Sequence, residues 1–342
     1  MSTTNPLRGF TVDRDEITLV GKELQRPECV LAEPDGTLWS ADARGGVMRI
    51  NPDGTQQLVA QTVVDPEANA DASDGVSRFV LAGTLPNGLA FDADGSIVIA
   101  NFGTNAVERM TRDGVSTTLL TELDGEPLGS VNFALTDPRG RIWITVHTRQ
   151  DPWINAVNGH TPDGYILLID EHGARIVADG FVGTNEIRFD ATQEWLYVVE
   201  SNARHISRLR VADDGSLSER EVYGPDDLGG VPDGFAFDVA GNLWITLVNA
   251  DRLIALTPEL EVLTLLDDGV PAGVAAFDEA FFAGTMTPEI LGGGRGTLAP
   301  LLASVTFGGP DLRTVYLGSL MGTTLPSFRS PVAGLPLAHW HA

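Results

Sequence analysis

The stretch Asp233-Gly-Phe-Ala-Phe-Asp-Val-Ala-Gly241 is one copy of a pattern that recurs along the chain and decides its fold. The pattern opens with a carboxylate or carboxamide residue, runs through mostly apolar residues to an acidic residue five places later, and usually ends at a glycine. Self-similarity at a spacing of this kind indicates a repeat architecture. The copies that align without gaps are Glu28–Gly36, Asn87–Gly95, Asn132–Gly140, Asn185–Gln193 and Asp233–Gly241.

Each copy predicts a strand, a tight turn and a second strand. The acidic side chain can accept hydrogen bonds from the backbone of the turn, and glycine tolerates a positive φ there. The apolar runs that follow are rich in β-branched and aromatic residues and predict buried strands. We call the repeated acidic residues the turn acids: Glu33, Asp92, Asp137, Asp190 and Asp238.

A third and a fourth strand-like run follow each copy, and four antiparallel strands form one blade of a β-propeller. Blades are predicted to start near residues 28, 87, 132, 185 and 233, with a degenerate sixth copy near 303. A strand near residues 16–24 is expected to complete the last blade and close the ring. The prediction is therefore an all-β, six-bladed propeller in which residues 1–342 form one domain, with no amphipathic helix of note.

The opening residues of the five copies are all polar, although each precedes an apolar strand. We call these side chains the collar: Glu28, Asn87, Asn132, Asn185 and Asp233. First strands line the central channel of a propeller, so the collar is expected to converge at one rim. Buried polar groups need partners, and an all-oxygen set suits a hard divalent cation such as Ca²⁺, Mg²⁺ or Mn²⁺. A hydrogen-bonded ring of side chains and water is the alternative.

The amino-acid composition argues against several classes of binding partner and reaction. With 22 basic and 47 acidic residues, the formal net charge of −25 disfavours nucleic acid and anionic membrane surfaces. The only lysine, Lys22, lies in a plain strand-like segment, which argues against Schiff-base chemistry. No apolar leader or apolar run long enough to span a bilayer is present in the sequence, so a cytoplasmic protein is expected.

The order and spacing of three motifs resemble the senescence marker protein (regucalcin)/gluconolactonase family of six-bladed propellers. These motifs are Pro86-Asn87-Gly88-Leu-Ala-Phe91, Pro232-Asp233-Gly234-Phe-Ala-Phe237 and Phe307-Gly-Gly-Pro-Asp-Leu-Arg-Thr-Val-Tyr316. The resemblance covers roughly residues 16–330. It implies hydrolysis of a sugar lactone or another lactone at a single divalent ion.

By position, the resemblance implies that Glu28, Asn185 and Asp233 hold the ion and that Asn132 contacts the ion or the substrate. Ca²⁺ is the expected ion, with Mn²⁺, Mg²⁺, Zn²⁺ and Fe²⁺ as alternatives. The ion would polarise the lactone carbonyl as a Lewis acid. Asp233 is the candidate catalytic residue, because its carboxylate can also take the proton of the attacking water.

Further candidate substrate contacts are Asn87 in the collar and His147, Arg149 and Trp153 in the long loop 147–160 of blade three. Arg204 and His205, on the blade-four loop, are weaker candidates.

The chain also departs from the family. Ser130 stands where the family has a substrate-binding arginine, which weakens the case for recognition of sugar hydroxyls. Phe102, Phe133 and Trp153 predict a more apolar mouth.

Two segments stand outside the repeat. Residues 277–302 contain Gly292-Gly-Gly294 and are interpreted either as a lid over the predicted site or as a disordered insertion. The acidic stretch Asp65–Ser77 is interpreted as a solvated loop rather than a second ion site.

Two other functions remain compatible with the same predicted site. One is cleavage of a phosphotriester at the same ion, and the other is calcium binding without catalysis. No Gly-x-Ser-x-Gly, His-Glu-x-x-His or phosphate-binding Gly-Lys motif occurs in the sequence. The partner that the resemblance implies is a small lactone.

Overall fold

Six four-stranded antiparallel sheets, arranged as the blades of a propeller, make up the computed structural model, which describes residues 5–62 and 84–341. The predicted all-β, six-bladed fold is confirmed. Blades one to three consist of β2 (Val30–Ala32), β3 (Leu38–Ala41), β4 (Gly46–Ile50), β5 (Gln56–Ala60), β6 (Pro86–Phe91), β7 (Ile97–Asn101), β8 (Ala106–Met110), β9 (Ser116–Leu120), β12 (Val131–Thr136), β13 (Ile142–Val146), β14 (Gly164–Asp170) and β15 (Gly173–Phe181). The short hairpin between blades two and three consists of β10 (Glu122–Leu123) and β11 (Glu126–Pro127).

The remaining blades follow the same order from the channel outward. Blades four to six consist of β16 (Thr184–Phe189), β17 (Trp195–Glu200), β18 (His205–Val211), β19 (Leu217–Val222), β20 (Pro232–Phe237), β21 (Leu243–Leu247), β22 (Arg252–Leu256), β23 (Val262–Asp267), β24 (Leu302–Gly308), β25 (Thr314–Ser319), β26 (Leu325–Arg329) and β1 (Thr18–Val20). In the last blade β1 is the outer strand, with Thr18 opposite Ser327. β1 is shorter than the stretch expected from sequence, because the chain turns at Gly21, whose φ is 73°.

The turn acids explain why tryptophan recurs six residues after them. Asp137 and Asp238 each accept a hydrogen bond of 3.0 Å from the indole Nε1 of Trp143 and Trp244. Both indoles are fully buried, and a buried tryptophan needs a partner for its N–H. Each of these carboxylates also accepts backbone N–H groups of its turn. The turn acids therefore join the hairpin turn to the core.

The structure also contains helices, although the sequence shows no amphipathic helix. Between blades five and six lie α1 (Pro271–Ala283) and α2 (Pro288–Leu291). Proline at the start of α1 and Gly284 just after it, with a φ of 66°, are favourable termini for a helix. The apolar residues of α1 occur all around the helix, so the one-sided periodicity that would have predicted it is missing. In the part of the chain that the structure describes, no helix has the length and apolar character needed to cross a bilayer.

The chain after β26 returns across one end of the channel. The amide of Leu335 donates to the carbonyl of Phe237, and a ring nitrogen of His339 lies 2.8 Å from the carbonyl oxygen of Ala32. Phe237 and Ala32 are the last residues of β20 and β2. The C-terminal segment therefore covers the end of the channel opposite the collar, whose residues lie where the first strands begin.

Candidate functional site

The collar converges as the repeat predicts. All five of its side chains line one cavity of about 90 Å³ at the end of the channel where the first strands begin. Their exposed fractions lie between 1% and 7%.

Four collar residues sit at irregularities in the first strands. The pairing between the first and second strand shifts register between Pro86 and Leu89, between Val131 and Phe133, between Thr184 and Ile187, and between Pro232 and Phe235. A bulge of this kind changes the direction of a side chain and frees it from the regular ladder. The repeated bulge is therefore a structural reason why these polar side chains reach the channel.

Within the cavity the collar forms two hydrogen-bonded groups. The amide nitrogen of Asn185 donates to Asp233 Oδ1 over 2.6 Å and to Ser201 Oγ over 3.0 Å. The amide nitrogen of Asn87 donates to Glu28 Oε1 over 3.2 Å and to the carbonyl of Asn132 over 3.0 Å. These bonds use the amide nitrogens and leave amide and carboxylate oxygens for other partners.

Three collar oxygens are buried without a hydrogen-bond partner among residues 5–62 and 84–341: Glu28 Oε2, Asn132 Oδ1 and Asn185 Oδ1. A buried acceptor without a partner costs about 1–3 kcal/mol. Three such atoms in one cavity point to a ligand that binds oxygen. Together with the Asp233 carboxylate, they provide two carboxylate groups and two neutral amide oxygens, which are the ligands that hard divalent ions prefer. The donor chemistry therefore fits a divalent cation.

The charged side chains of the cavity also favour a bound cation. Burial, and next the charge of Asp233, raise the pKa of Glu28 well above its usual value. Burial and the charge of Glu186 raise the pKa of Asp233 to about 7. Two carboxylates that share a desolvated site favour a nearby positive charge. No group of three or more His, Cys, Asp or Glu side chains suited to a metal occurs in the described ranges, so an ion here would depend on the asparagine oxygens.

Arg26 is a cavity residue that the sequence analysis missed. Its guanidinium donates to the carbonyl of Pro86 over 3.0 Å and to the side-chain oxygen of Asn87. The side chain is buried, and this burial lowers its pKa. The signal was its place two residues before Glu28, which matches the offset of the family arginine that Ser130 replaces in blade three.

Of the three candidates in the long loop of blade three, two line the cavity and one does not. His147 and Trp153 line the cavity, and their rings pack together with Phe102, which lies 5.3 Å from Trp153 between ring centroids. Burial lowers the pKa of His147 to about 4, so the imidazole is neutral at pH 7. Arg149 is not brought to the cavity, because its guanidinium lies over the ring of Tyr165 and donates to the carbonyl of Asp163.

The weaker blade-four candidates and Phe133 also lie elsewhere. Arg204 forms ion pairs with Asp227 and Asp278, and His205 lies beside Glu200. Phe133 is buried deeper in the channel, where the guanidinium of Arg188 lies 4.5 Å from its ring centroid.

The segment between blades five and six contributes to the cavity. Phe277 of α1 and Leu291 of α2 both line it. The pair of Arg204 Nη1 and Asp278 Oδ1, 2.6 Å apart, joins α1 to the blade-four loop. The helical part begins at Pro271, before the 277–302 stretch identified in the sequence. The acidic stretch Asp65–Ser77 lies outside the described residues.

One side of the cavity is apolar, and we call it the apolar wall. Its members are Phe102, Trp153, Val157, Val248, Phe277 and Leu291. The site thus combines an oxygen-lined floor with a hydrophobic side.

Part of the chain is similar in sequence to known lactonases. A model of the family described as SMP-30/Gluconolactonase/LRE-like region matches residues 115–274. A 6-deoxy-6-sulfogluconolactonase of Pseudomonas putida is 29% identical over 192 residues, which cover 55% of this chain and 53% of that protein. The chain therefore spans about half the length of this curated relative.

Solved structures of low identity share the architecture. A gluconolactonase of Xanthomonas campestris superposes with a TM-score of 0.64 at 19% identity, covering 93% of this chain and 89% of that one. A calcium-binding protein of Agrobacterium tumefaciens described as regucalcin superposes with a TM-score of 0.64 at 14% identity, covering 93% and 96%. At these identities the likeness shows the fold alone.

Proposed function

We propose that this chain, whose residues 115–274 match the model of the SMP-30/Gluconolactonase/LRE-like region, is a lactone hydrolase that depends on a divalent ion. The observation that carries this proposal is the group of three unpartnered collar oxygens beside Asp233. The description of the Pseudomonas relative as a sulfogluconolactonase supports the reaction class. The description of the Agrobacterium protein as calcium-binding supports Ca²⁺ as the first ion to test.

Glu28, Asn132, Asn185 and Asp233 would hold the ion, which would supply Lewis-acid polarisation of the lactone carbonyl when bound. The chain's own residues then do the rest. Asn185 fixes the orientation of the Asp233 carboxylate through Oδ1, which leaves Oδ2 to take a proton from the attacking water. His147, neutral and buried, orients the substrate without adding a charge to the site.

The reaction adds water across the ester bond. The water oxygen bonds to the carbonyl carbon, the bond from that carbon to the ring oxygen breaks, and the ring oxygen receives the proton held by Asp233. The product is a hydroxy acid whose carboxyl group is fully ionised at neutral pH, so each turnover releases one proton to the medium. The apolar wall limits the access of other water to the cavity.

The test is a proton-release assay on chelator-treated protein to which Ca²⁺, Mn²⁺, Mg²⁺, Zn²⁺ or Fe²⁺ is returned. We expect lactone hydrolysis to fall to background after chelation and to return with at least one ion. The panel includes unsubstituted δ-valerolactone, δ-gluconolactone and a phosphotriester. If the ion binds by calorimetry but no lactone opens, the protein is a binding protein or acts on the triester, and the proposal is wrong.

A pair of variants from one repeat locates the effect. Glu28→Gln keeps the shape of the side chain and replaces a charged proposed ligand by a neutral amide, so ion affinity and turnover should both fall sharply. Glu33→Gln, five residues away, alters a turn acid that bonds to Trp39 and Arg112 outside the cavity. This control should keep ion binding and turnover within about twofold. Equal losses in the two variants would argue against the assignment of Glu28.

A further inference from the structure

The polar side chains at the floor of the cavity already have partners within the protein. Asn87 bonds to Glu28, to the carbonyl of Asn132 and to Arg26. Ser201 donates to the carbonyl of Pro232 over 2.7 Å. The three collar oxygens without partners are those assigned to the ion, so the floor offers few groups to the hydroxyls of a substrate.

The remaining surface of the cavity is mostly hydrophobic. Phe277 packs in one cluster with Val157 and Val231, and Trp153, Val248 and Leu291 pack against it. Among the lining residues here, Asn249 Nδ2 has no hydrogen-bond partner in the described part of the protein, whereas the His147 ring bonds to Asn202 and to the backbone of Thr184. The wall can therefore satisfy one or two polar atoms of a substrate and no more.

With many apolar and few free polar groups, the cavity is expected to bind sugar lactones and alkyl- or aryl-substituted lactones with different affinities. A sugar lactone carries a hydroxyl on nearly every ring carbon, and each hydroxyl buried here without a partner weakens binding. An alkyl or aryl substituent instead gains from the wall, by about fourfold in affinity for each buried methylene. The cavity thus favours carbon over hydroxyl groups around the lactone ring.

Building on the proposed lactone hydrolysis, we propose that the substrate is a lactone with an apolar substituent, selected by the apolar wall. Phe277 of α1 is the main specificity-determining residue, because it belongs both to the cavity lining and to the cluster that unites α1 with the blade-three loop. Phe102, packed edge-to-face on Trp153, forms the facing aromatic surface.

Three lactones with the same six-membered ring test the proposal with the ion-loaded protein. They are δ-decalactone with a pentyl group, unsubstituted δ-valerolactone, and polyhydroxylated δ-gluconolactone. We expect kcat/KM for δ-decalactone to exceed that for δ-valerolactone by about 100-fold, since several methylenes become buried. δ-Gluconolactone should be the poorest of the three.

The possible results distinguish a failure of the proposed substituent preference from a failure of the proposed lactone hydrolysis. If δ-gluconolactone is preferred over δ-decalactone, the substituent proposal is overturned while lactone hydrolysis stands. If δ-decalactone and δ-valerolactone react equally, the wall does not select and the proposal is overturned as well. If none of the three opens with any ion, lactone hydrolysis itself fails, and this inference fails with it.

Two phenylalanines of α1 provide a matched pair of variants. Phe277 is 2% exposed, whereas Phe282 is 65% exposed and absent from the cavity lining. Phe277→Ala should lower the ratio of kcat/KM for δ-decalactone to that for δ-valerolactone at least tenfold, and Phe282→Ala should leave it within about twofold. Rates on δ-valerolactone and the melting temperature show whether the fold persists, and Phe277→Leu provides a milder change if alanine unfolds α1. A fall in both rates by the same factor would mean that Phe277 only supports the structure.

Discussion

The collar and the turn acids occupy two places in the same repeat, five residues apart, yet their surroundings differ completely. Every turn acid accepts hydrogen bonds from its own hairpin or from a neighbouring side chain, and Asp137 and Asp238 each accept four. Three collar oxygens, at the opposite end of the same first strands, have no partner in the described part of the protein. Recurrence in a repeat therefore does not distinguish the two positions, whereas the hydrogen-bond partners of their side-chain oxygens do.

The largest effect is expected from exchanging one carboxylate oxygen for an amide nitrogen at each place. Asp233→Asn should lower kcat/KM for lactones by about 1,000-fold or more, because it removes the negative charge of a proposed ion ligand and the proposed proton acceptor. Asp238→Asn, the matched change at the turn, should retain activity within about threefold. Lactone kinetics and ion content by mass spectrometry measure both. Full activity in Asp233→Asn would remove the distinction between the two places.

Complete removal of a turn acid should affect stability instead. Asp238→Ala leaves the Trp244 indole and two backbone N–H groups without their acceptor in a buried turn. We expect a loss of about 3 kcal/mol in the free energy of unfolding. Urea denaturation measures the loss, and kcat/KM at 25 °C should be nearly unchanged. A stability equal to that of the parent protein would show that the turn acids are dispensable.

Glu200 is a buried acid whose carboxylate has several hydrogen-bond partners, like the turn acids. Its contribution to stability is therefore expected to depend on pH. Burial alone would raise its pKa, but hydrogen bonds from His205, Ser207 and the Val182 amide, and the charge of Arg220, lower it to about 2. A carboxylate with a lowered pKa in the folded state stabilises the protein above its unfolded pKa, here 4.5. That contribution is lost as the pH falls from about 4.5 towards 2.

The expected magnitude is about 2 kcal/mol between pH 5 and pH 3. Urea midpoints at both pH values, for the parent protein and for Glu200→Gln, measure it. The parent should lose more stability than the variant across this range. Parallel pH profiles would contradict the assignment of Glu200 as a satisfied structural acid.

The smallest effect concerns the fourth copy of the repeat, where Gln193 replaces the turn glycine. Its φ is 59°, within the left-handed region that the four glycines of the other copies also occupy. A residue with a Cβ is strained there by about 1 kcal/mol. Gln193→Gly should therefore raise stability by up to about 1 kcal/mol without a change in activity, which a thermal melt and a kinetic assay can check. A loss of stability would mean that the Gln193 side chain makes a favourable contact.

The repeat made most of the fold predictable, because each strand–turn–strand copy is a local pattern with a fixed offset between its turn acid and its turn glycine. Elements outside the repeat were harder to predict. α1 lacks the one-sided apolar period of a surface helix, and β1 ends early at a left-handed glycine.

The same division holds in the candidate site. The collar followed from five equivalent positions, and all five line one cavity. The positions of Arg149 and Arg26 did not follow, since a long side chain reaches whichever partner the folded loops bring near it. Arg149 lies on Tyr165, and Arg26 reaches the strand of the next blade.

The sequence by itself determined the six-bladed ring, the polar residues that open its first strands and the acids that close its turns, because these depend on spacing along the chain. The tertiary structure alone decided which of those polar atoms have partners, which loop residues face the cavity, and that Phe277 lies in its wall. Glu28 and Asp233 are about 200 residues apart in the chain, so their shared surroundings arise only when the ring closes. Contacts between such distant segments leave no periodic trace in a single sequence.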